Sequence, residues 1–576
     1  MHTGPITAVC CSKDNNRIFT GGYDKKVISW DQQTGDAKLL GSHEHLVNGL
    51  TMSNDGNLLA SASSDYTINL YDIKTNKKVN TLKAHSDDVE DLAFNDNDTL
   101  LVSVSRDNRC LVWDVQTGAV KNEFCLHDKD VLSVWIKEDV AFTTGDDGKV
   151  FIWDITTSTL IKELGPFDYE IDTVAGSKEL NLFAIGRDDG KVMFYNATSF
   201  ELVQELKAHE RGIKQVSFSP SGNLVLTAGY DHQIKVWNTT NFSLFRKLET
   251  TTYQWERSLA WSSDEKKVIG SSFGKKFNEW NVNTSKHVNK SEVLATPSIN
   301  GIAIDQNNNV VSASDDGVFR LNGKEIAKSK GVLTNATSTS TNGEYLAWGD
   351  HAGEIHIVNK KTGHVESINL STGPINTIVY DEFQNSFFIG TYGGYIHEVS
   401  LITLKESRSW DAHDGAVKAL DLDENTIVSV SSEGVLYVFN KTKETVFKEF
   451  FGPLSIANDV TLDSSRNRII VVSRDKVVRV FDQNSGQVIN QHNRHRYSIK
   501  SVTSTSDGKI ISGDYWGNIV IINEDNSIVG PLKIANNGLS SLVSYKNDVY
   551  ASSYDGGIYK INQNNDVSEH LRLFKQ

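Results

Sequence analysis

The residue types of a hydrolytic triad recur along this chain at a regular spacing. His85 is followed by Ser103 and Asp107, and a histidine, a hydroxyl residue and an aspartate stand in the same order in several other segments. Such a set could supply a nucleophile, a general base and a group that orients the base. An enzyme needs one set, whereas this chain repeats it. The repetition therefore favours a structural role, and we predict no catalytic residues.

Other catalytic and metal-binding patterns carry less weight. Residues 270–274 match G-x-S-x-G, but that motif needs a strand that turns sharply into a helix, and here it falls on the second strand and turn of a repeat. The recurring histidines could be metal ligands, yet at one per repeat they would lie too far apart to share an ion. The sequence contains no P-loop, H-E-x-x-H or EF-hand pattern. We therefore predict no metal site and no cofactor.

The repeat fills the chain from end to end. Equivalent positions recur about every 40 to 43 residues, with one shorter step, which predicts fourteen units and an extended repeat architecture. The positions used to align the units are His2, His43, His85, His127, Asp168, His209, Thr252, Ala295, Lys330, Ser371, His413, Pro453, His495 and Ala535.

Each unit predicts four short strands. In the sixth unit, apolar runs at 213–218, 224–227, 234–237 and 243–248 are separated by turn residues, which is typical of hairpins and contains no helical periodicity. Propellers usually close with four to eight blades. We therefore predict an all-β fold of two tandem seven-bladed β-propellers, with residues 1–294 in the first and 295–576 in the second, more degenerate one.

The motif residues resemble those of the WD40-repeat family. In five units the aspartate follows the hydroxyl residue by four positions and precedes an aromatic residue by six. The sets are His2, Thr20, Asp24 and Trp30; His43, Ser61, Asp65 and Tyr71; His85, Ser103, Asp107 and Trp113; His127, Thr143, Asp147 and Trp153; and His209, Thr227, Asp231 and Trp237. The resemblance implies a hydrogen-bonded chain from the indole through the hydroxyl and the histidine to the aspartate.

The remaining units keep the strand pattern with fewer motif residues. Unit 11 has His413, Ser429, Glu433 and Phe439, for example, and its period carries the assignment. Each blade could use its own four strands, or a strand could cross between rings. The tandem arrangement is similar to that of actin-interacting protein 1, a two-propeller family, although the sequence contains no actin-specific motif.

Composition narrows the class of function. The formal net charge is −15, whereas nucleic-acid-binding proteins usually carry a basic excess, so nucleic acid is an unlikely partner. The four cysteines form no CxxC pair, which favours a reducing compartment. The sequence contains neither a signal-peptide pattern nor an apolar stretch long enough to span a bilayer. We expect a cytoplasmic protein that does not bind membranes.

These features predict a non-enzymatic scaffold or adaptor for protein or peptide partners within a multiprotein assembly. A role in actin-filament disassembly, as in the actin-interacting family, and a propeller enzyme with a site in the central channel are the alternatives. In WD40 proteins the residue before the motif aspartate points to the binding face, and Tyr and Arg are enriched in binding hot spots. The candidate partner-binding residues are Tyr23, Arg106, Arg187, Tyr230, Trp255, Arg474, Tyr515 and Tyr554.

Overall fold

The computed structural model describes residues 1–2, 4–250, 256–271, 276–289, 298–329, 333–441, 446–451 and 456–573, with backbone alone for 446–451. The chain divides into two compact units, Met1–Leu294 and Ala295–Gln576. Fourteen antiparallel sheets are present, and each consists of four strands that are consecutive in the chain. No helix in the described ranges is long and apolar enough to cross a bilayer.

The first unit contains seven blades of four strands each. Its strands are β1 Ile6–Cys11, β2 Arg17–Gly22, β3 Lys26–Asp31, β4 Ala37–Ser42, β5 Val47–Met52, β6 Leu58–Ser63, β7 Thr67–Asp72, β8 Lys77–Lys83, β9 Val89–Phe94, β10 Leu100–Ser105, β11 Cys110–Asp114, β12 Val120–Phe124, β13 Val131–Lys137, β14 Val140–Gly145, β15 Val150–Asp154, β16 Thr159–Leu164, β17 Ile171–Ser177, β18 Leu182–Arg187, β19 Lys191–Asn196, β20 Leu202–Lys207, β21 Ile213–Phe218, β22 Leu224–Gly229, β23 Ile234–Asn238, β24 Leu244–Lys247, β25 Leu259–Trp261, β26 Lys267–Gly270, β27 Asn278–Asn281 and β28 His287–Asn289.

The second unit contains blades 8 to 14, and one turn of 3-10 helix, Ser464–Arg466, follows β45. Its strands are β29 Ile299–Ile304, β30 Val310–Ser314, β31 Val318–Leu321, β32 Lys324–Lys328, β33 Thr334–Thr339, β34 Tyr345–Asp350, β35 Glu354–Asn359, β36 Val365–Asn369, β37 Ile375–Asp381, β38 Ser386–Thr391, β39 Tyr395–Ser400, β40 Lys405–Asp411, β41 Val417–Leu422, β42 Thr426–Ser431, β43 Val435–Asn440, β44 Val446–Phe451, β45 Ala457–Asp463, β46 Arg468–Ser473, β47 Val478–Asp482, β48 Val488–His492, β49 Ile499–Ser504, β50 Ile510–Asp514, β51 Asn518–Ile522, β52 Ile528–Lys533, β53 Leu539–Tyr545, β54 Asp548–Ser553, β55 Gly557–Ile561 and β56 Val567–Arg572.

The apolar core lies between neighbouring sheets. Every residue of β10 is buried, whereas five of the six residues of β16 are exposed, so burial falls from the middle strands of a blade to its outer strand. One core cluster joins Val102 and Val112 of blade 3 to Val134 and Trp153 of blade 4. The apolar runs seen in the sequence therefore form strands that are covered on both faces by adjacent blades.

Both units close into rings. In the first, β1 contacts β25, and Val9 N donates to Ser258 Oγ (3.2 Å). In the second, β29 contacts β53, and Ser540 Oγ donates to the carbonyl oxygen of Ile299 (2.5 Å). The predicted all-β fold of two seven-bladed propellers is confirmed, and each described sheet uses four strands of its own.

Buried side chains on the first strands link one blade to the next. Ser133 Oγ donates to Asp91 Oδ2 of the preceding blade (3.0 Å) and accepts from Val174 N of the following blade (3.2 Å). The second unit repeats this relay, because Ser501 Oγ donates to Asp459 Oδ2 (2.6 Å) and accepts from Leu542 N (2.9 Å). Burial raises the pKa of Asp91 to about 6. Each relay therefore buries a carboxylate, which is unfavourable by itself, at a position where its hydrogen bonds help to hold three blades together.

Removing the relay hydroxyl should destabilise either ring. Ser133→Ala and Ser501→Ala each leave a buried backbone N–H without its acceptor, which costs about 1–3 kcal/mol. Urea unfolding should show this loss in the free energy of unfolding. Ser568→Ala is the matched control, because Ser568 is exposed on the outer strand β56. A loss no larger than that of the control would contradict the proposed contribution of the relays.

Candidate functional site

The motif residues of blade 1 form a continuous buried chain of hydrogen bonds. Trp30 Nε1 donates to Thr20 Oγ1 (2.7 Å), and Thr20 Oγ1 lies 2.7 Å from His2 Nε2. His2 Nδ1 lies 2.8 Å from Asp24 Oδ1. A neutral imidazole with its proton on Nδ1 satisfies every link, since Thr20 then donates to Nε2 and His2 donates to Asp24. The chain ties the loop before the blade to its second and third strands.

Blades 2, 3, 4 and 6 repeat the links through histidine. The distances from the histidine Nδ1 to the aspartate are 2.9 Å for His43–Asp65, 2.9 Å for His85–Asp107, 2.8 Å for His127–Asp147 and 2.7 Å for His209–Asp231. The distances from Nε2 to the hydroxyl are 2.7 Å for His43–Ser61, 2.7 Å for His85–Ser103, 3.0 Å for His127–Thr143 and 2.8 Å for His209–Thr227. Trp113 and Trp237 donate to Ser103 (2.8 Å) and Thr227 (3.0 Å).

Two aromatic residues depart from the expected chain. In blade 4, Trp153 Nε1 is buried and makes no hydrogen bond to any described residue. The Trp153 ring instead stacks on Phe124 (4.6 Å between centroids, 4° between planes). The prediction of an indole–hydroxyl bond is therefore wrong for this blade, where ring packing sets the tryptophan position. In blade 2, Tyr71 Oη is buried and makes no hydrogen bond to a described residue, and burial raises the pKa of Tyr71 to about 12.

The histidines hold the turn carboxylates in their charged form. Burial alone raises the pKa of Asp65, but the hydrogen bond from His43 and the remaining contacts more than offset it, and the pKa lies at about 2. Burial also raises the pKa of Asp107, Asp147 and Asp231, and the hydrogen bond from the histidine of the same blade lowers it. The lowering contributions are larger, so all three pKa values are lowered. The four residue types therefore form a structural network in which the aspartate remains a hydrogen-bond acceptor.

Blades 11 and 13 keep the histidine but change its acidic partner. His413 Nε2 lies 2.7 Å from Ser429 Oγ, while His413 Nδ1 has no hydrogen-bond partner among the described residues. Glu433, the expected acid, is exposed. In blade 13, His495 Nδ1 instead reaches Asp514 (3.1 Å), which lies two residues before the expected position. A search at a fixed spacing misses Asp514.

Five of the blades without the loop histidine place a polar residue on the third strand. The residue paired with the motif hydroxyl position is apolar in blades 1, 3 and 4, namely Ile28, Leu111 and Phe151. In blades 8, 9, 10, 12 and 14 the same position holds Arg320, His356, His397, Arg479 and Tyr559. The contacts are Arg320–Asp316 (3.0 Å), His356–Asp350 (3.0 Å), His397–Thr372 (2.7 Å), Arg479–Asp475 (2.6 Å) and Tyr559–Asp555 (2.7 Å).

In blade 9 a different group of residues forms the hydrogen-bonded network. Trp348 Nε1 donates to Ser329 Oγ (3.1 Å), and His356 lies between Asp350 (3.0 Å) and Ser367 (2.7 Å). Asp350, Glu354 and His356 could also hold a metal ion, since their ligand atoms lie within 4.8 Å of one another. The hydrogen bonds already engage both nitrogens of His356, so the geometry supports a structural network here.

One backbone hydrogen bond defines the loop face of each blade. The residue directly after the second strand donates its N–H to the carbonyl of the residue directly before the first strand. We call the residue that donates this N–H the loop-face residue. All fourteen blades have one among the described residues, namely Tyr23, Ser64, Arg106, Asp146, Asp188, Tyr230, Ser271, Asp315, His351, Tyr392, Ser432, Arg474, Tyr515 and Tyr554. Six of the eight predicted partner-binding residues are in this set, and Trp255 lies outside the described residues.

The structure corrects the prediction that Arg187 is a partner-binding residue. It is the last residue of β18, and Asp188 makes the loop-face bond, to the carbonyl of Glu170 (3.0 Å). Arg187 is only 9% exposed and donates to Asp189 (2.7 Å). Blade 5 lacks the motif hydroxyl and histidine, so the alignment slipped by one residue there. Arg187 therefore belongs to the blade interior.

The loop-face residues of the first unit contact neighbouring blades. Arg106 pairs with Glu90 of its own blade and with Asp130 of blade 4 (2.5 Å). Tyr230 Oη donates to Asp172 of blade 5 (2.9 Å). The Arg257 guanidinium lies 5.2 Å from the ring of Tyr23, which connects blades 7 and 1.

Carboxylates crowd the same face of the first unit. Burial, and then the charge of Glu170, raises the pKa of Asp146 to about 8. Burial, and then the charge of Asp188, raises the pKa of Glu170 to about 7. Burial, and then Asp172, raises the pKa of Asp188 to about 6. This face therefore resists further negative charge.

His413 should make stability depend on pH. Burial lowers its pKa from 6.5 to about 4, so the unfolded chain binds the proton more tightly, and folding should weaken as the pH falls from 6.5 to 4. His413→Gln should reduce this loss by up to about 1.4 kcal/mol per pH unit. Urea unfolding across this range measures it, with the exposed His364→Gln as control. Parallel pH profiles for wild type and His413→Gln would contradict the assignment.

The ion pair of blade 12 should show strong energetic coupling. Arg479 and Asp475 are mostly buried, so either single replacement, Arg479→Met or Asp475→Ala, leaves a poorly solvated charge. A double-mutant cycle on the free energy of unfolding should give a coupling of about 1–3 kcal/mol. The exposed pair Lys361–Glu344 is the control and should give less than about 1 kcal/mol. Equal coupling in the two cycles would contradict the view that the Arg479–Asp475 pair stabilises blade 12.

Comparison with known proteins identifies the repeat. The family model "WD domain, G-beta repeat" matches residues 1–31, 37–72, 76–114 and 200–238, which include the motif residues of blades 1, 3 and 6, the three blades with a complete hydrogen-bonded chain among the described residues. "Cross-pathway control WD-repeat protein 2" of Flammulina velutipes is 35% identical over 82 residues, 13% of this chain and 26% of that protein.

Two further relatives match over short stretches. The "COMPASS component SWD3" of Saccharomyces cerevisiae is 28% identical over 88 residues, 15% of this chain and 28% of that protein. The human "Serine-threonine kinase receptor-associated protein" is 22% identical over 164 residues, 28% of this chain and 35% of that protein. The matches thus span about a quarter to a third of these relatives. Together with the hydrogen-bonded blades, they show that the chain contains WD40 repeats.

Proposed function

We propose that this chain is a non-enzymatic scaffold that holds protein partners on the loop faces of its propellers. The observation that carries the proposal is the set of loop-face residues. One backbone hydrogen bond fixes all fourteen described positions, while the side chains range over tyrosine, arginine, histidine, serine and aspartate. Because the backbone bond does not depend on the side chain, these positions can be adapted to partners without loss of the fold.

The burial of the triad-like residues supports the absence of catalysis. His2 is 1% exposed, and Thr20, Ser103 and Thr143 are 0% exposed. Each hydroxyl is already within hydrogen-bonding distance of a histidine in its own blade. A nucleophile must reach its substrate, and these hydroxyls contact only the interior of the protein.

The relatives support a protein as the partner. One is named as a component of COMPASS and another as a receptor-associated protein. We further propose that residues 1–294 and 295–576 are separate domains, since each closes its own ring. In that arrangement each propeller offers one loop face, and the loop-face residues of the two units differ in charge.

A test of the loop face must spare the contacts that hold the rings. Arg106 and Tyr230 bond to neighbouring blades, so replacing them should lower the melting temperature as well as partner binding. Tyr392 suits the test better, because its side chain is 50% exposed on blade 10. Phe383 is 60% exposed on the turn between β37 and β38, at the opposite end of the same blade.

Affinity purification from the native source should separate the two ends of the blades. We expect Tyr392→Ala to retain fewer partner proteins than wild type, as quantified by mass spectrometry. Phe383→Ala should retain the wild-type set, since this exposed residue lies away from the loop face of the same blade. Equal melting temperatures would show that both variants fold. Loss of partners in the control variant alone would refute the choice of face.

A further inference from the structure

Cationic and aromatic side chains lie together on the loop face of blades 12 and 13. Arg474 follows β46, the loop before β49 contains Arg494, Arg496 and Tyr497, and Lys500 lies in β49. Trp516 follows β50. Neighbouring first strands β45 and β49 are in contact, and Asn458 Nδ2 donates to the carbonyl of Ile499 (2.6 Å). We call Arg474, Arg494, Arg496, Tyr497, Lys500 and Trp516 the basic patch.

Three of the four cations in the basic patch have no ion-pair partner among the described residues. Arg494 and Arg496 are exposed and Lys500 is half-buried, and none of the three forms an ion pair with a residue that the structure describes. The acids on these blades already have partners: Asp475 pairs with Arg479 (2.6 Å) and Asp514 with His495 (3.1 Å). The patch is therefore locally cationic on a chain whose net charge is −15.

Ring stacking fixes the loop that carries the arginines. The rings of Tyr497 and Trp516 stack at 4.1 Å between centroids and 11° between planes. The backbone is tied as well, since Tyr515 N donates to the carbonyl of Ser498 (3.1 Å). Because Tyr497 directly follows Arg496, the stack holds one end of the cationic loop against blade 13. A loop held in this way loses less conformational entropy when it binds a partner.

The two units differ in charge at equivalent positions. In the second unit the second residue of the first strand is asparagine in four blades and lysine in two, Lys418 and Lys500. In the first unit, Glu90, Asp172 and Lys214 occupy this position, Lys214 pairs with Asp172 (3.4 Å), and Asp146 and Asp188 are loop-face residues. In the second unit the cations at these positions are Lys418, Arg474 and Lys500 of blades 11 to 13, where a ligand of opposite charge would be attracted.

We propose that the basic patch binds an acidic segment of a protein partner, with carboxylate side chains facing Arg494, Arg496 and Lys500. The inference rests on the proposed scaffold function and gives the chemistry of one partner. A peptide fits better than a nucleic acid, because a phosphate backbone carries a charge on every nucleotide and is bound by a longer series of cations than Arg494, Arg496 and Lys500 provide. The stack also leaves fewer aromatic faces for bases.

Fluorescence anisotropy with the purified full chain can test the basic patch. The probe is a labelled peptide of about twelve alternating Glu and Gly residues, compared with a Lys–Gly peptide and an oligouridine of similar length. We expect only the Glu–Gly peptide to bind, and more weakly as salt screens the charges. Arg494→Glu, Arg496→Glu and Lys500→Glu together should weaken binding at least about tenfold, which corresponds to about 1.4 kcal/mol.

A matched variant controls for net charge. Lys324→Glu, Lys328→Glu and Lys405→Glu together reverse three exposed cations on the outer strands β32 and β40 of the same unit, and should leave peptide affinity within about twofold. Equal losses in both variants, or tighter binding of the oligouridine than of the peptide, would overturn the proposal. If partners are purified with the chain but do not depend on the patch, the inference fails while the scaffold function stands.

Discussion

The structure depends on a buried hydrogen bond to a polar group, usually a carboxylate, at the loop end of most blades. The turn after the second strand contains this group because its oxygens also accept from turn N–H groups, as Asp350 does from Ala352 and Glu354. Such a turn brings the carboxylate out of water, and an unpaired buried charge costs far more than a blade can supply. A donor must therefore reach it from elsewhere in the blade. A loop histidine meets this requirement in the intact repeats, and a third-strand residue meets it in most of the others.

The same constraint explains how much the sequence could predict. Five blades with residues at fixed spacings, together with the period, were sufficient to predict an all-β fold and two seven-bladed rings. In blades 9 and 10 the histidines lie on the third strand, where His356 interrupts an apolar run and His397 stands among residues that are mostly buried. A search for histidine in the preceding loop could not find them. A polar residue in a strand that reads as buried is the feature that would have pointed to them.

The candidate surface was less predictable than the fold, because its positions are defined by backbone geometry. Arg187 was misplaced by one residue in a blade without motif side chains, and a shift of one turns a strand residue from the outside to the inside. The roles of Arg106 and Tyr230 were hidden for another reason. Their partners, Asp130 and Asp172, belong to adjacent blades about 24 and 58 residues away, and no local pattern in the sequence records such a pair.

These contacts set a limit on how a propeller of this kind can acquire partners. Where a loop-face residue also joins blades, as Arg106 does, a change that suits a new partner costs stability in the ring. Where the inter-blade bond comes from a neighbouring asparagine, as Asn376 Nδ2 donates to the carbonyl of Val417 (2.8 Å), the loop-face residue Tyr392 can remain half exposed. The second unit uses such asparagines in several blades, including Asn300 and Asn458. Its loop face is therefore the one on which side chains can change most freely, and this is the face that carries the uncompensated cations.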